Sequence, residues 1–185
     1  MFRNRRVILS EEEREERLRE DFSQAYTAHG AGILRYLLSA GMQTADAQDV
    51  LQNSFLTMWE MRTRIEDTAN LAPLWFTIAR HRMFDCFRKS RRSIPFSAEL
   101  EQIPDRRNDY RELDRAVLRR RIAEELNRLP RETAEAYRLT KISGLSIRET
   151  AEILELSESD VKSKVLRARK KLMEALADWR DFPEN

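Results

Sequence analysis

From Asp21 onward the apolar residues recur three and four apart. Phe22, Ala25, Tyr26, Ile33, Tyr36 and Leu37 fall at helical spacing, with Gly30 and Gly32 as an expected break and Gly41 as the end. A second amphipathic helix follows, in which Val50, Leu51, Ser54, Phe55, Met58 and Trp59 stand at i, i+1, i+4, i+5, i+8 and i+9. The polar stretch "RIEDTANLAP" has no period and reads as a loop. Pro73 suits the first turn of a third helix, "LWFTIARHRMFDCFRKSRR", which runs to about Arg92. Residues 93–108 hold Pro95 and Pro104 without a sustained period and read as a linker. Helical pattern resumes near Tyr110 and continues to Leu129. Three short helices are predicted after Pro130. The first ends at Ser143 with Gly144 as its C-cap. The second opens on a capping box made by Ser146 and Glu149. The third opens on Ser157 and Asp160 at the same spacing. Upstream, "SEEEREERLR" also has capping-box spacing, between Ser10 and Glu13, and reads as a solvated helical turn. The rest of the charged extension, residues 1–19, reads as a tail. The predicted fold is all-α, with helical modules at 20–92 and 114–178, a flexible linker at 93–113 and a tail at 179–185.

Composition sharpens this picture. The scarcity of Gly (4) and Pro (5) disfavours a turn-rich β protein. Hydrophobic residues are 41% and charged residues 36%, enough for a core under a strongly ionic surface. Net charge is only +2, so any binding of nucleic acid must come from local segregation of charge. The single cysteine, Cys86, excludes a disulfide framework and a zinc cluster of cysteines, and fits a reducing, cytoplasmic setting. No apolar run reaches the length of a membrane span, and "MFRNRRVILS" lacks the apolar core of a signal peptide.

Charge is segregated on two helices. On the last, Val161, Val165, Ala168, Leu172 and Leu176 share one face, while Ser163, Lys164, Arg167, Lys170 and Lys171 occupy an arc of roughly 120° opposite. A short helix, the tight turn "ELS" and this helix form a helix-turn-helix pattern. In that arrangement Ser159, Asp160, Lys162 and Ser163 reach base edges, and Lys164, Arg167 and Arg169 anchor on phosphates. The third helix carries Arg80, Arg82, Arg88, Lys89, Arg91 and Arg92 interleaved with Trp75, Phe76, Phe84 and Phe87, a mixture suited to single strands. Phe84 and Phe87 read as core. Trp75 and Phe76 read equally as core or as base-stacking rings. Asp85 reads as an ion-pair partner of Arg88. No catalytic constellation, metal site or cofactor motif is visible. His29 and His81 stand far apart, there is no phosphate-binding glycine loop, and Glu124 and Glu125 read as helix surface.

These residues carry a resemblance. "DAQDVLQNSFLTMW" and "APLWFTIARHRMFDCFRKSRR" resemble region 2 of sigma-70-type initiation factors. "LPRETAEAYRLTKISGLSIRETAEILELSESDVKSKVLRARKKL" resembles region 4. With only a short linker between them, the layout is similar to the extracytoplasmic-function (group IV) class. The resemblance implies a factor that binds core RNA polymerase, at the β′ clamp helices and the β flap, and directs it to promoter DNA without covalent chemistry of its own. It implies polymerase contacts from Asp46, Asp49, Gln52, Asn53, Phe55, Leu56 and Trp59. For the minus-ten element it implies Ile65, Glu66, Asp67, Thr68, Ala69, Asn70 and Leu71, then Trp75, Phe76, Arg80, Arg82, Arg88 and Lys89. A base flipped from that element would need a pocket that offsets a few kcal/mol of unstacking. For the minus-thirty-five element it implies Ser146, Arg148, Ser157, Ser159, Asp160, Lys162, Ser163, Lys164, Arg167 and Arg169. The linker, with Glu99, Glu101 and Asp105, would thread the polymerase, and an anti-sigma protein is an expected partner.

The chain departs from the family pattern at several positions. Ser159 and Asp160 stand where Gly and Thr are common, Lys164 replaces a frequent Arg, Glu155 a usual turn glycine, and His81 a frequent Asn. Asp160 would either accept from cytosine or cap the helix. Two other functions fit parts of the chain. "GLSIRETAEILELSESDVKSKVLRA" also resembles the output domain of LuxR-type regulators, which bind duplex DNA without polymerase. A protein that only binds polymerase or a sigma antagonist would have no use for a cationic recognition face.

Overall fold

The structure is a computed structural model that describes residues 10–65, 68, 70–90 and 109–177. Helix α1 (Glu11–Ser39) starts where its capping box predicts. The Ser10 hydroxyl accepts from the Glu13 amide at 3.2 Å, and the Glu13 carboxylate accepts from the Ser10 amide at 2.8 Å. Three glutamates in the first turn complement the helix dipole. The second half of the charged extension is therefore ordered helix rather than tail. The expected break at Gly30 and Gly32 does not occur, and α1 runs unbroken for 29 residues. Both glycines serve close approach instead. A Cβ on Gly30 would lie 3.7 Å from the Trp75 ring, and one on Gly32 would lie 3.0 Å from the Ser143 carbonyl oxygen. Burial of this face outweighs the roughly 1 kcal/mol by which each glycine disfavours a helix.

Helix α2 (Thr44–Glu60) leads through a short 3₁₀ turn (Arg62–Arg64) and the polar loop to α3 (Ala72–Ser90). These three helices enclose Phe22, Ile33, Tyr36, Leu37, Val50, Met58, Trp75, Phe76 and Met83. Rings of Phe22, Tyr26, Phe55, Trp59 and Trp75 pack edge to face, tilted or stacked, with centroids 5.1–6.1 Å apart. Residues 91–108, most of the expected linker, lie outside the described residues, as do residues 1–9 and 178–185.

The second half comprises α4 (Asp109–Arg128), α5 (Arg131–Tyr137), α6 (Ile147–Leu154) and α7 (Glu158–Ala175). Helix α5 passes into one turn of π-helix (Arg138–Ile142), and Gly144, at φ 83°, ends it as its C-cap role predicts. Ser146 and Glu149 make the expected capping box. Small apolar cores form from Ala136, Ala151, Val161 and Val165, and from Leu126, Ala134 and Leu172. Among the described residues there is no strand, and no helix is long and apolar enough to cross a membrane.

The two expected modules pack directly on one another. Leu139, Leu145, Ile153 and Ala123 of the second half enter the core built by α1 and α3. The π turn lies on α1, and α6 lies across α3.

Candidate nucleic-acid interface

Helix α2 presents a stripe. Asp46, Asp49, Gln52, Asn53 and Leu56 are exposed, and Leu56, at 55%, is a large apolar side chain left facing outward. Phe55 and Trp59 are half-buried and set edge-on against Phe22, so their contribution is mostly to the core. A shallow apolar groove runs beside them, between α1 and α2, from Arg19 past Tyr26 to Leu56. On the other flank of α2, Asp46, Asp49 and Asn53 share a cleft with Arg82, Asp85, Cys86 and Lys89 of α3. Burial, reinforced by Asp46, raises the Cys86 thiol above its usual range.

The loop before α3 is tied down at one point. The Thr68 hydroxyl donates to Asp21 of α1 at 2.5 Å. Ile65 and Thr68 are half-buried and Asn70 is exposed, whereas Leu71 is buried and belongs to the core. Glu66, Asp67 and Ala69 lie outside the described residues.

Trp75 and Phe76 require a correction. Both are fully buried, so neither offers a face to a nucleobase. The Trp75 indole N–H donates to the Ser54 hydroxyl at 2.8 Å, and its ring stacks on Tyr26. Phe76 packs against Tyr36. Their position beside a polar loop made stacking plausible, but the helix turns both rings inward. Phe84 and Phe87 are half-buried against the core, as expected.

The cations of α3 are largely engaged. Arg82 donates to the Thr57 hydroxyl at 2.6 Å and so fastens α3 to α2. Arg88 pairs with Asp85, as its spacing predicts. Lys89 is exposed. Arg80 donates twice to one oxygen of Glu135 on α5, from Nε at 3.0 Å and from Nη2 at 2.9 Å. Burial works against the Arg80 charge, but the hydrogen bonds and charge of Glu135 prevail and raise its pKa.

Glu135 is 2% exposed and has three polar neighbours. Besides Arg80, the Tyr36 hydroxyl stands 3.5 Å away and Arg131 Nε 3.8 Å away. Arg138, also buried, donates to the Ser39 carbonyl at 3.1 Å and to Asn127 at 2.6 Å. Burial lowers the Arg138 pKa. Burial, reinforced by Glu135, pushes the Tyr36 phenol far above its usual range. Sequence reasoning missed this cluster. Glu135 sits among helix-forming polar residues, and its partners are 55 and 99 positions away.

In the helix-turn-helix, Arg148, Ser159, Asp160, Lys162, Ser163, Arg167 and Arg169 are exposed. The buried face of α7 is Val161, Val165, Ala168 and Leu172, as the periodicity predicts. The first turn of α7 is occupied with itself. The Ser157 hydroxyl accepts from the Asp160 amide at 3.1 Å, donates to the Asp160 carboxylate at 2.6 Å and lies 2.9 Å from the Ser159 hydroxyl. Ser157 is therefore the cap, and the Asp160 carboxylate is held by its hydroxyl. The Ser146 hydroxyl is likewise held by Glu149 at 2.6 Å. Lys164 departs from its expected place as a free anchor. It is only 20% exposed and pairs with Glu132 of α5 at 2.8 Å. Glu155 ends α6 in the left-handed region, at φ 56°, without the usual glycine. His29 is half-buried and His81 exposed. No group of three or more potential metal ligands exists among the described residues.

Comparison with known proteins agrees with this geometry. The family model for Sigma-70 region 2 matches residues 25–93, and that for Sigma-70, region 4 matches residues 119–172. RNA polymerase sigma factor CnrH of Cupriavidus metallidurans is 31% identical over 160 residues, covering 82% of this chain and 84% of that protein. ECF RNA polymerase sigma factor SigL of Mycobacterium tuberculosis is 32% identical over 142 residues, covering 76% and 80%. A solved structure of CnrH in complex with the cytosolic domain of CnrY superposes with a TM-score of 0.61 at 29% identity, over 87% of this chain and 89% of that one. Sigma factor RpoE from Bartonella quintana, in complex with the anti-sigma factor NepR, shares the fold with a TM-score of 0.64 at 24% identity, over 85% and 98%. A free-standing LuxR-type regulator leaves the region 2 match, and the whole of α1–α3, without a role.

Proposed function

We infer a division of labour between the two halves, from the premise that the chain belongs to the sigma-70 family of RNA polymerase initiation factors. As such a factor it directs RNA polymerase to promoters. The finer assignment concerns which residues do what. The exposed α2 stripe, Asp46, Asp49, Gln52, Asn53 and Leu56, docks on the β′ clamp helices of the core enzyme. The groove beside Leu56 extends that surface. Residues 65–70 and the cationic side of α3, from Arg80 and Arg82 to Lys89, follow the strand that is separated at the minus-ten element. Arg148, Lys162, Ser163, Arg167 and Arg169 enter the major groove of the minus-thirty-five element. The base-reading weight shifts from Ser159 and Asp160, whose side chains are engaged with the Ser157 cap, to Lys162, Ser163 and Arg167. The chain acts where the polymerase is, in the cytoplasm, and an anti-sigma protein holds it inactive, as NepR is paired with RpoE of Bartonella quintana. Binding, positioning and melting are its share; the polymerase supplies the chemistry.

The observation that carries this reading is the order of the two family matches on one chain, each on a helical body with an outward polar face. Transcription with purified core polymerase tests it. Promoter-specific transcripts are expected only when the protein is added. Tight binding to duplex DNA without polymerase, together with no such transcripts, would favour the free-standing regulator. Leu56→Asp should weaken binding to core polymerase by about 30-fold, as for an interface hot spot, without loss of helix content.

A further inference from the structure

Asp21 is half-buried on α1, and among the described residues no cation pairs with it. Its polar partner is the Thr68 hydroxyl, 47 positions away and also half-buried. At 2.5 Å the contact has the length of a hydroxyl bound to a charged carboxylate, a stronger bond than a neutral pair makes. On either side of Thr68 the chain is fixed by burial instead. Ile65 packs against the core of α1–α3, and Leu71 lies in it. The Leu71 carbonyl accepts from the Trp75 amide at 3.0 Å and so opens α3. Thr68 stands midway, three residues from each. Asn70, between Thr68 and Leu71, is exposed, and its side-chain amide has no partner among the described residues. It offers both a donor and an acceptor. Stability alone explains the Asp21–Thr68 tie poorly. A half-buried hydroxyl can bond to water instead at little cost, and a carboxylate beside the path of a polyanion opposes binding. What Asp21 supplies is position. Its backbone belongs to the unbroken α1, next to Phe22, which is 1% exposed. A contact built on a rigid helix is set more precisely than one left to a loop.

We propose that Asp21 is a positioning residue for the minus-ten element: by holding Thr68 it fixes where the Asn70 amide meets a base of the separated strand. The proposal rests on the reading that residues 65–70 follow that strand. An amide free to turn suits several bases, whereas a fixed one leaves the polar groups of a wrong base unpaired. Order set on folding also lowers the entropy lost when the base is taken up. Asp21 thus acts on base choice without touching DNA.

The test uses holoenzyme made with the whole chain and a randomised single-stranded oligonucleotide pool, from which bound strands are sequenced. Removing the Asp21 charge strengthens binding to every sequence alike, so base preference rather than affinity is the readout. Wild type should enrich one base at one position at least. Asp21→Ala and Thr68→Val should each reduce that preference about tenfold, and the double variant no further, since both remove the same bond. Thr68→Ser keeps the hydroxyl and should keep the preference. Asp21→Asn keeps the shape but weakens the bond, and should cost about threefold; it decides the matter should Asp21→Ala lose helix content by circular dichroism. A lower melting temperature with the wild-type preference, in both Asp21 variants, would show a merely structural tie and overturn the proposal. Loss of preference in Thr68→Val alone would also overturn it, by assigning the base contact to Thr68 itself. A wild-type holoenzyme that enriches no base would instead remove the strand-contact reading, and the role of Asp21 with it.

Discussion

Removing the Ser54 hydroxyl tests whether Trp75 is core or a nucleic-acid contact. Ser54 and Trp75 are both fully buried, and the indole N–H has its partner at 2.8 Å. Ser54→Ala leaves that N–H in an apolar interior without an acceptor. The same hydroxyl also donates to the Leu51 carbonyl at 2.8 Å, an oxygen inside a continuous helix that keeps its backbone donor. The loss is therefore one unsatisfied indole donor, about 2 kcal/mol. For a chain of this length that corresponds to a fall of roughly 4–8 °C in melting temperature. Trp75→Phe removes the donor as well but leaves a void, and should cost about 2–3 kcal/mol. Since each change breaks the same bond, the double variant should be milder than the sum by about 1 kcal/mol or more. Thermal denaturation followed by circular dichroism measures all four proteins. Promoter opening by the holoenzyme, assayed well below the melting temperature, should be unchanged in Trp75→Phe. A stable Trp75→Phe protein that cannot open promoters would refute the reasoning and return Trp75 to the strand.

Other changes probe different links. The Thr150 hydroxyl is fully buried without a hydrogen-bond partner among the described residues, so Thr150→Val should raise stability by up to about 1 kcal/mol in a urea titration. Glu155 holds φ 56°, a conformation that glycine adopts without strain, and Glu155→Gly should stabilise the chain by somewhat less than 1 kcal/mol in the same assay. Arg167→Ala should weaken binding of the holoenzyme to promoters and lower the salt slope by about one, whereas Lys164→Ala should change that slope less, because Glu132 already pairs with Lys164. Equal slopes for the two variants would argue that the Lys164–Glu132 pair is broken on DNA.

What could be read from the chain was local. Ser10 with Glu13, and Ser146 with Glu149, are signals four residues long, and each opens a helix where it should. Gly144 ends a helix because a positive φ is a property of one residue. The buried stripe of α7 follows from a period of 3.6. What could not be read depends on partners distant in sequence. Gly30 and Gly32 looked like breakers, yet their role is set by Trp75 and Ser143. Trp75 and Phe76 carry no sequence mark of which way they face. Lys164 looked like its free neighbours until Glu132 of α5 came within 2.8 Å. The polar cluster around Glu135 joins three helices, α1, α3 and α5, and no window along the chain contains them. The exposed stripe of α2 was readable in its polar members, but Phe55 and Trp59, expected on the same surface, proved half-buried supports.

The seam between the halves combines an ionic contact, Arg80 with Glu135, and apolar contacts of Leu139, Leu145 and Ile153, and the two respond differently to temperature. Hydration of charged groups becomes less favourable on warming, while the gain from apolar burial levels off. Heat thus lowers the advantage that water offers to a separated Arg80 and Glu135, and the ionic contact gains weight relative to the apolar ones. On cooling, both contributions weaken, so cold loosens the grip of one half of the chain on the other.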